Sequence, residues 1–168
     1  MAPDSLTGHP QASTLLAFSD PPYSEWSDAR KVRSRATRLD GPVAFSDGAR
    51  LFALARAQPG PRHWPLQLGS AWARKRAALW WIDPGRESPG GAGAGEPRLV
   101  RLSDLPSAGD TSYAGVVLHG GSLYADYYTS RIERDYPWLL GMILRTDIRM
   151  ARVPLEDLQR VADAHAGR

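Results

Sequence analysis

The chain has 168 residues, enough for one domain with its own core. Its 21 basic and 18 acidic residues are spread along the whole length for a net charge of +3, and no basic stripe marks a nucleic-acid groove. It has no cysteine, which excludes disulfides and thiolate metal sites, and no apolar run of membrane-spanning length.

In chain order, residues 1–12 read as a flexible tail. The tail lacks the basic start and apolar core of a signal peptide. The chain is therefore expected to be cytoplasmic as encoded, or secreted if an N-terminal part is missing. From Ser13 onward, short apolar runs alternate with Gly, Pro, Asp and Ser clusters, the spacing of an all-β protein. A first strand is expected over Ser13–Asp20, stopped by Pro21 and Pro22. The basic run Arg30–Arg38 reads as a solvated loop. A hairpin is expected over Gly41–Arg56, with Asp47-Gly48 as a two-residue turn in which both positions take positive φ. On its second strand Leu51, Ala53 and Ala55 share one face, and Phe52, Leu54 and Arg56 share the other. Both faces are largely apolar, so this strand belongs between sheets.

Arg76–Asp83 is a third strand. Trp80 and Trp81 are adjacent on it and point opposite ways, so at least one is core. With Trp64, Trp72 and Trp138 they are also candidates for a sugar-stacking platform. Residues 84–97 are nearly all Gly, Pro, Ala and charge, a flexible loop. A strand follows over Arg98–Leu105. Asp110–Ser130 reads as a second hairpin around Gly120-Gly121 and holds four of the six tyrosines. The last strand is expected over Thr146–Val153. Residues 154–168 form a short C-terminal helix and tail, with Pro154 in its first turn and Leu155, Leu158 and Val161 on its inner side.

The two hairpins repeat one another. Laying Leu51-Phe52-Ala53 over Leu123-Tyr124-Ala125 brings Gly48 onto Gly120, Ala44 onto Val116 and Arg56 onto Tyr128. Repeated small antiparallel sheets of about 40–50 residues are the mark of a β-propeller.

The second hairpin, "DTSYAGVVLHGGSLYADYYTS", with the following "TDIRMARV" resembles the C-terminal blade of sialidase-like β-propeller proteins. "LDGPVAFSDGARLFALAR" resembles the blade before it. "FSDPPYSEWS" (Phe18–Ser27) is similar to an Asp-box turn whose glycine has given way to prolines. The resemblance spans residues 13–153. It implies an all-β fold, a partial β-propeller of about two and a half blades at about 40 residues each, with the short C-terminal helix appended. It also implies glycoside-hydrolase chemistry on an acidic sugar. A tyrosine hydroxyl attacks the anomeric carbon, an adjacent carboxylate takes its proton, and arginines hold the substrate carboxylate. Tyr113 is then the nucleophile, Asp40 its base and Arg56 a carboxylate ligand. Tyr128 and Asp110 are further substrate-binding candidates. Arg131 is a candidate for the third arginine, with Arg74 and Arg76 as alternatives.

The chain departs from the family in three ways, the first being that the third arginine has no clear match. Asp40 is shorter than the usual glutamate, and the first arginine and the acid/base aspartate belong to blades that this chain does not contain. A closed ring takes at least four blades of about 40 residues. The chain is expected to be a fragment, or to complete its ring by self-association or with a second chain.

Plainer readings stand beside these. Tyr124 and Tyr127 suit strand packing. Asp40 could start a turn, and Arg56 could be a strand-end surface residue. Scattered histidines leave no metal site, and no cofactor is implied. The functional alternatives are a sialidase-like catalyst incomplete on its own, a non-catalytic module binding glycan or protein, and a truncated reading frame. A carbohydrate is the expected ligand, and neither nucleic acid nor membrane is an expected partner.

Overall fold

The computed structural model of the chain describes residues 14–32, 39–57, 71–85 and 97–166. The expected tail, residues 86–96 of the expected loop, Trp64 and residues 33–38 of the basic run lie outside the described residues. What is described is mostly β, arranged in antiparallel sheets.

Two short strands, β1 (Thr14–Leu16) and β2 (Arg30–Val32), pair with each other. The basic run is thus a strand at its start rather than a loop throughout. Val32 explains this: its side chain is fully buried, and Thr14 pairs across from it. The first strand is also shorter than expected, because the chain turns at Phe18–Ser27, where Phe18 and Ser27 exchange backbone and side-chain hydrogen bonds.

The first large sheet is a meander of β3 (Asp40–Ser46), β4 (Leu51–Ala57), β5 (Arg76–Asp83) and β6 (Arg98–Asp104), in that order. The second is a meander of β7 (Thr111–His119), β8 (Ser122–Ser130) and β9 (Thr146–Pro154). Helix α1 (Trp138–Gly141) interrupts the link from β8 to β9, and α2 (Leu155–Ala166) follows β9 directly.

Alternation along β4 and β5 decides how the sheets pack. Phe52 and Leu54 from β4, with Leu79 and Trp81 from β5, meet Leu123, Ala125 and Tyr127 from β8. Each such large apolar side chain, once buried, contributes about 1.5–3 kcal/mol. Ala53, Ala55, Ala57, Ala78, Trp80 and Ile82 form a second buried layer on the opposite face of the same sheet. Both adjacent tryptophans are therefore core, one on each face. Helix α2 closes the first layer with Leu158 and Ala162. The inner side of this helix uses Ala162 where Val161 was expected, because one more residue of helical rotation brings it under the sheets.

The two hairpins turn differently. Gly120 and Gly121 both take positive φ (52° and 70°), the tight two-residue reversal. The other hairpin uses four residues, Asp47–Arg50, and only Gly48 there has positive φ. Asp47 closes this loop instead: its Oδ1 accepts the backbone N–H of Ala49 and of Arg50 at 2.9 and 2.7 Å. Gln159 on α2 donates to the other oxygen at 2.8 Å, which ties the helix to the first sheet.

Beyond their turns, the hairpins correspond closely. Each first strand gains one extra residue against its partner, between Asp40 and Val43 and between Ser112 and Gly115. These are β-bulges, which bend a strand and re-aim a side chain. The alignment that lays Gly48 on Gly120 lays Gly41 on Tyr113, and both take left-handed φ, 57° and 47°. The bulges abut: a Cβ on Gly41 would sit 2.9 Å from Ser112 Oγ.

The outer face of the second sheet is open. Ile148 is 83% exposed, Met150 77% and Val117 62%. Among the described residues no helix is long and apolar enough to cross a membrane.

Candidate functional site

The starts of β3 and β7 and the ends of β4 and β8 lie at one edge of the paired sheets. In the first hairpin Asp40 stands across from Arg56; in the second Ser112 stands across from Tyr128. Five of the six residues singled out in the sequence (Asp40, Arg56, Asp110, Tyr113 and Tyr128) are brought together here.

Asp110 is the hub. Its Oδ2 accepts a hydrogen bond from the Tyr128 hydroxyl at 3.0 Å, and its Oδ1 accepts one from Trp138 Nε1 at 2.8 Å. Arg56 lies between two carboxylates, with Nη1 3.5 Å from Asp110 Oδ1 and Nη2 3.6 Å from Asp40 Oδ2. Both separations are ion pairs but too long for good hydrogen bonds. Arg56 Nε is buried without a hydrogen-bond acceptor among the described residues. A guanidinium held this loosely keeps donor capacity for a ligand.

Trp138 comes from the short helix that the sequence did not announce. Its backbone N–H donates to Ala73 O at 3.0 Å, which fixes α1 against the irregular segment leading into β5. Gly141 lets the helix come this close, since a Cβ there would meet the backbone N of Asp110 at 2.3 Å. The tryptophan ring carries two cations: Lys75 Nζ is 3.9 Å from its centroid and the Arg56 guanidinium 5.8 Å. Lys75 is almost wholly buried. The two cations balance the two aspartates, so the cluster is close to neutral.

The two tyrosines differ in environment. Tyr128 is partly buried. Burial, then the hydrogen bond and charge of Asp110, push its phenol up to about 12 against the smaller opposing pull of Arg56. Tyr113 is 82% exposed, and its ring stacks on Tyr128 with centroids 6.0 Å apart. It is held in the left-handed conformation at the position where the sister hairpin has glycine. For a bulky residue this conformation costs about 1–2 kcal/mol, and strain of this kind clusters at functional sites.

A cleft of about 210 Å³, counting space open to solvent, runs beside these residues. Gly41, Arg56, Ser112, Tyr113, Ala114 and Tyr127 help to line it. The room it encloses is far below the roughly 300–1,000 Å³ of usual ligand pockets, so it is a shallow cleft and not an enclosing pocket.

The other candidates fall elsewhere. Arg131 is exposed in the turn after β8, where its carbonyl accepts from Arg134 N. Arg74 and Arg76 both grip Asp135, at 2.8 and 2.6 Å. Burial raises the Asp135 pKa, but the hydrogen bonds and charges of these arginines outweigh it and hold the carboxyl below its ordinary range. Tyr127 is core, with its hydroxyl donating to Pro106 O at 3.0 Å. Tyr124 lies on the outer face beneath Arg152. Trp72 is exposed, and Trp80 and Trp81 are packed away from the cluster. Among the described residues no group of His, Cys, Asp or Glu is placed to hold a metal ion.

Two members of the cluster escaped sequence reasoning in this role. Lys75 sits in an ordinary polar stretch and carries no signal. Trp138 could be suspected only as an aromatic following a proline. No protein family, curated protein or solved structure matches this chain.

Proposed function

We propose that the two meanders are blades of a sialidase-like β-propeller and that the Asp40–Arg56–Asp110–Tyr113–Tyr128 edge is one wall of a site for an acidic sugar. One observation carries the reading. Tyr113 occupies a strained left-handed bulge position that its sister hairpin gives to glycine, and the bulge turns its ring out to solvent beside Arg56 and the carboxylates. Packing does not call for a tyrosine there, because the ring is almost fully exposed.

In this reading Tyr113 Oη attacks the anomeric carbon as the bond to the leaving group breaks, and its proton passes to Asp40. The Arg56 guanidinium takes the sugar carboxylate, with Asp110, Tyr128 and Trp138 holding that guanidinium in place. The acid that protonates the leaving group belongs to further blades, which also complete the pocket. The small cleft and the near-neutral cluster equally suit a glycan-binding wall without turnover.

A chromogenic sialoside separates these outcomes. Cleavage by the chain that is lost in Tyr113→Phe, with folding intact, supports the hydrolase. Saturable binding without cleavage, weakened by Arg56→Ala, supports the binding module. Neither cleavage nor binding of the acidic sugar overturns both.

A further inference from the structure

The free edge of the second sheet carries a pattern that the proposed site does not use. Strand β9 pairs with β8 over nine residues, from Ser122↔Pro154 to Ser130↔Thr146, without a bulge. Its other edge has no partner strand among the described residues. The first sheet has a fourth strand at the equivalent edge, and among the described residues the second does not. A strand of this length spans roughly 30 Å of unpaired backbone donors and acceptors.

The side chains along β9 say what fits there. Ile148 and Met150 project from the open face, 83% and 77% exposed. Between and beside them, on the other face, stand Asp147 and Arg149, both half-buried. Arg149 makes no ion pair with a carboxylate among the described residues, and its buried Nε has no hydrogen-bond acceptor. Asp147 has only a loose contact, 3.5 Å, with exposed Arg145. A partly buried guanidinium without a carboxylate carries a desolvation cost, and the sequence places an aspartate two residues away on the same face.

We propose that β9 pairs antiparallel with β9 of a second copy across a two-fold axis at Ile148, joining the two three-stranded sheets into one of six. In that register Ile148 faces Ile148 of the second copy. Asp147 of each chain faces Arg149 of the other, so two opposite-charge cross-strand pairs form at once. Thr146 faces Met150. Neighbouring registers fail by the same logic. An axis at Arg149 sets two guanidinium groups against each other. An axis at Met150 sets Asp147 against Val153 and Arg149 against Ala151, leaving all four charges unmatched. The self-complementary charge pattern therefore selects a second copy over an unrelated strand, and it selects one register. The pairing uses the free edge of β9, and although Ile148 stands across from Tyr128 on β8, native mass and cross-linking read it without reference to sugar binding.

Native mass and cross-linking test the proposal on the full chain. The wild-type protein is expected to show the mass of two chains. Arg149→Asp is expected to give one chain, and Asp147→Arg with Arg149→Asp to restore two. The chain has no cysteine of its own, so single cysteines report the register without background. Ile148→Cys is expected to form a disulfide-linked dimer on mild oxidation. Met150→Cys is not, because its two copies lie roughly 14 Å apart along the strands. Both positions are exposed, so this arm holds even if Arg149→Asp does not fold. A wild-type monomer, a dimer that survives Arg149→Asp, a double variant that remains monomeric, or cross-linking through Met150→Cys in place of Ile148→Cys overturns the proposal.

Discussion

Replacing Tyr113 tests whether the chain tolerates strain for the sake of a hydroxyl at this edge. The residue is 82% exposed with φ of 47°, so its ring contributes little burial energy and its backbone is unfavourable. The left-handed conformation costs about 1–2 kcal/mol for a residue with a Cβ. The stack on Tyr128 returns about 0.5–1 kcal/mol. Tyr113→Ala keeps the strain and loses the stack, so it is expected to destabilise by about 0.5–1 kcal/mol. Tyr113→Gly loses the same stack but relaxes the strain, a gain offset by about 0.5–1 kcal/mol of extra chain entropy in the unfolded state. Glycine is thus expected to be more stable than alanine by about 0.5–1 kcal/mol. At an unstrained strand position the order is the reverse. Urea denaturation of the two variants, with equal slopes, gives the comparison directly. An alanine variant as stable as the glycine variant refutes the reasoning, because Tyr113 would then sit in a conformation that costs nothing.

The hub gives two further expectations. Asp110→Ala leaves the Tyr128 hydroxyl and Trp138 Nε1 without their acceptor and removes one of the two carboxylates beside Arg56. It is expected to cost about 2–3 kcal/mol in urea denaturation, and a loss under about 0.5 kcal/mol counts against Asp110 as the hub. Tyr128 is expected to titrate near pH 12 by ultraviolet absorbance, measured as the difference between wild type and Tyr128→Phe. Its folded pKa is raised above the ordinary value of 10.0. Its contribution to stability is therefore complete below about pH 10 and is lost as pH rises toward about 12. A difference titration centred at pH 10 removes the Asp110 hydrogen bond from the account.

The strands were legible wherever apolar residues alternated or ran together between turn residues. Arg76–Asp83 is a strand over the span expected, and both hairpins form where glycine and aspartate marked them. What escaped depends on contacts between distant segments. The four-residue loop at Asp47 exists because the aspartate side chain closes the turn through its own hydrogen bonds, which removes the need for two positive φ angles. Helix α1 is four residues long, too short for any periodicity, and Ala73 and Gly141 place it. Convergence of Asp40, Arg56, Asp110, Tyr113 and Tyr128 was anticipated through a family resemblance. Spacing alone could not have given it, since Asp40 and Asp110 meet only because the two sheets pack face to face. Lys75 had no signal at all, because a buried lysine under an aromatic ring is a purely tertiary arrangement.

The repeat sharpens what the edge residues are for. At three equivalent positions the hairpins carry different chemistry: Asp40 against Ser112, Gly41 against Tyr113, and Arg56 against Tyr128. The backbone is alike at each, with the same cross-strand pairing, the same extra residue and the same left-handed turn. Backbone demands therefore cannot explain the side chains, and glycine would serve both bulges. Elsewhere the equivalent positions track burial: Ala53 and Ala55 and their equivalents Ala125 and Tyr127 are all buried, whereas buried Phe52 and Leu54 have Tyr124 and exposed Asp126 as equivalents. Tyr124 and Asp126 are the polar exceptions, and they lie on the uncovered face. At these paired positions of β4 and β8 residue type thus follows burial. The triplet at the edge departs from that rule in one hairpin by placing a charge pair, and in the other by placing an exposed tyrosine in a strained bend. Two like backbones that differ in side chain where they meet are what the proposed site between the two hairpins requires.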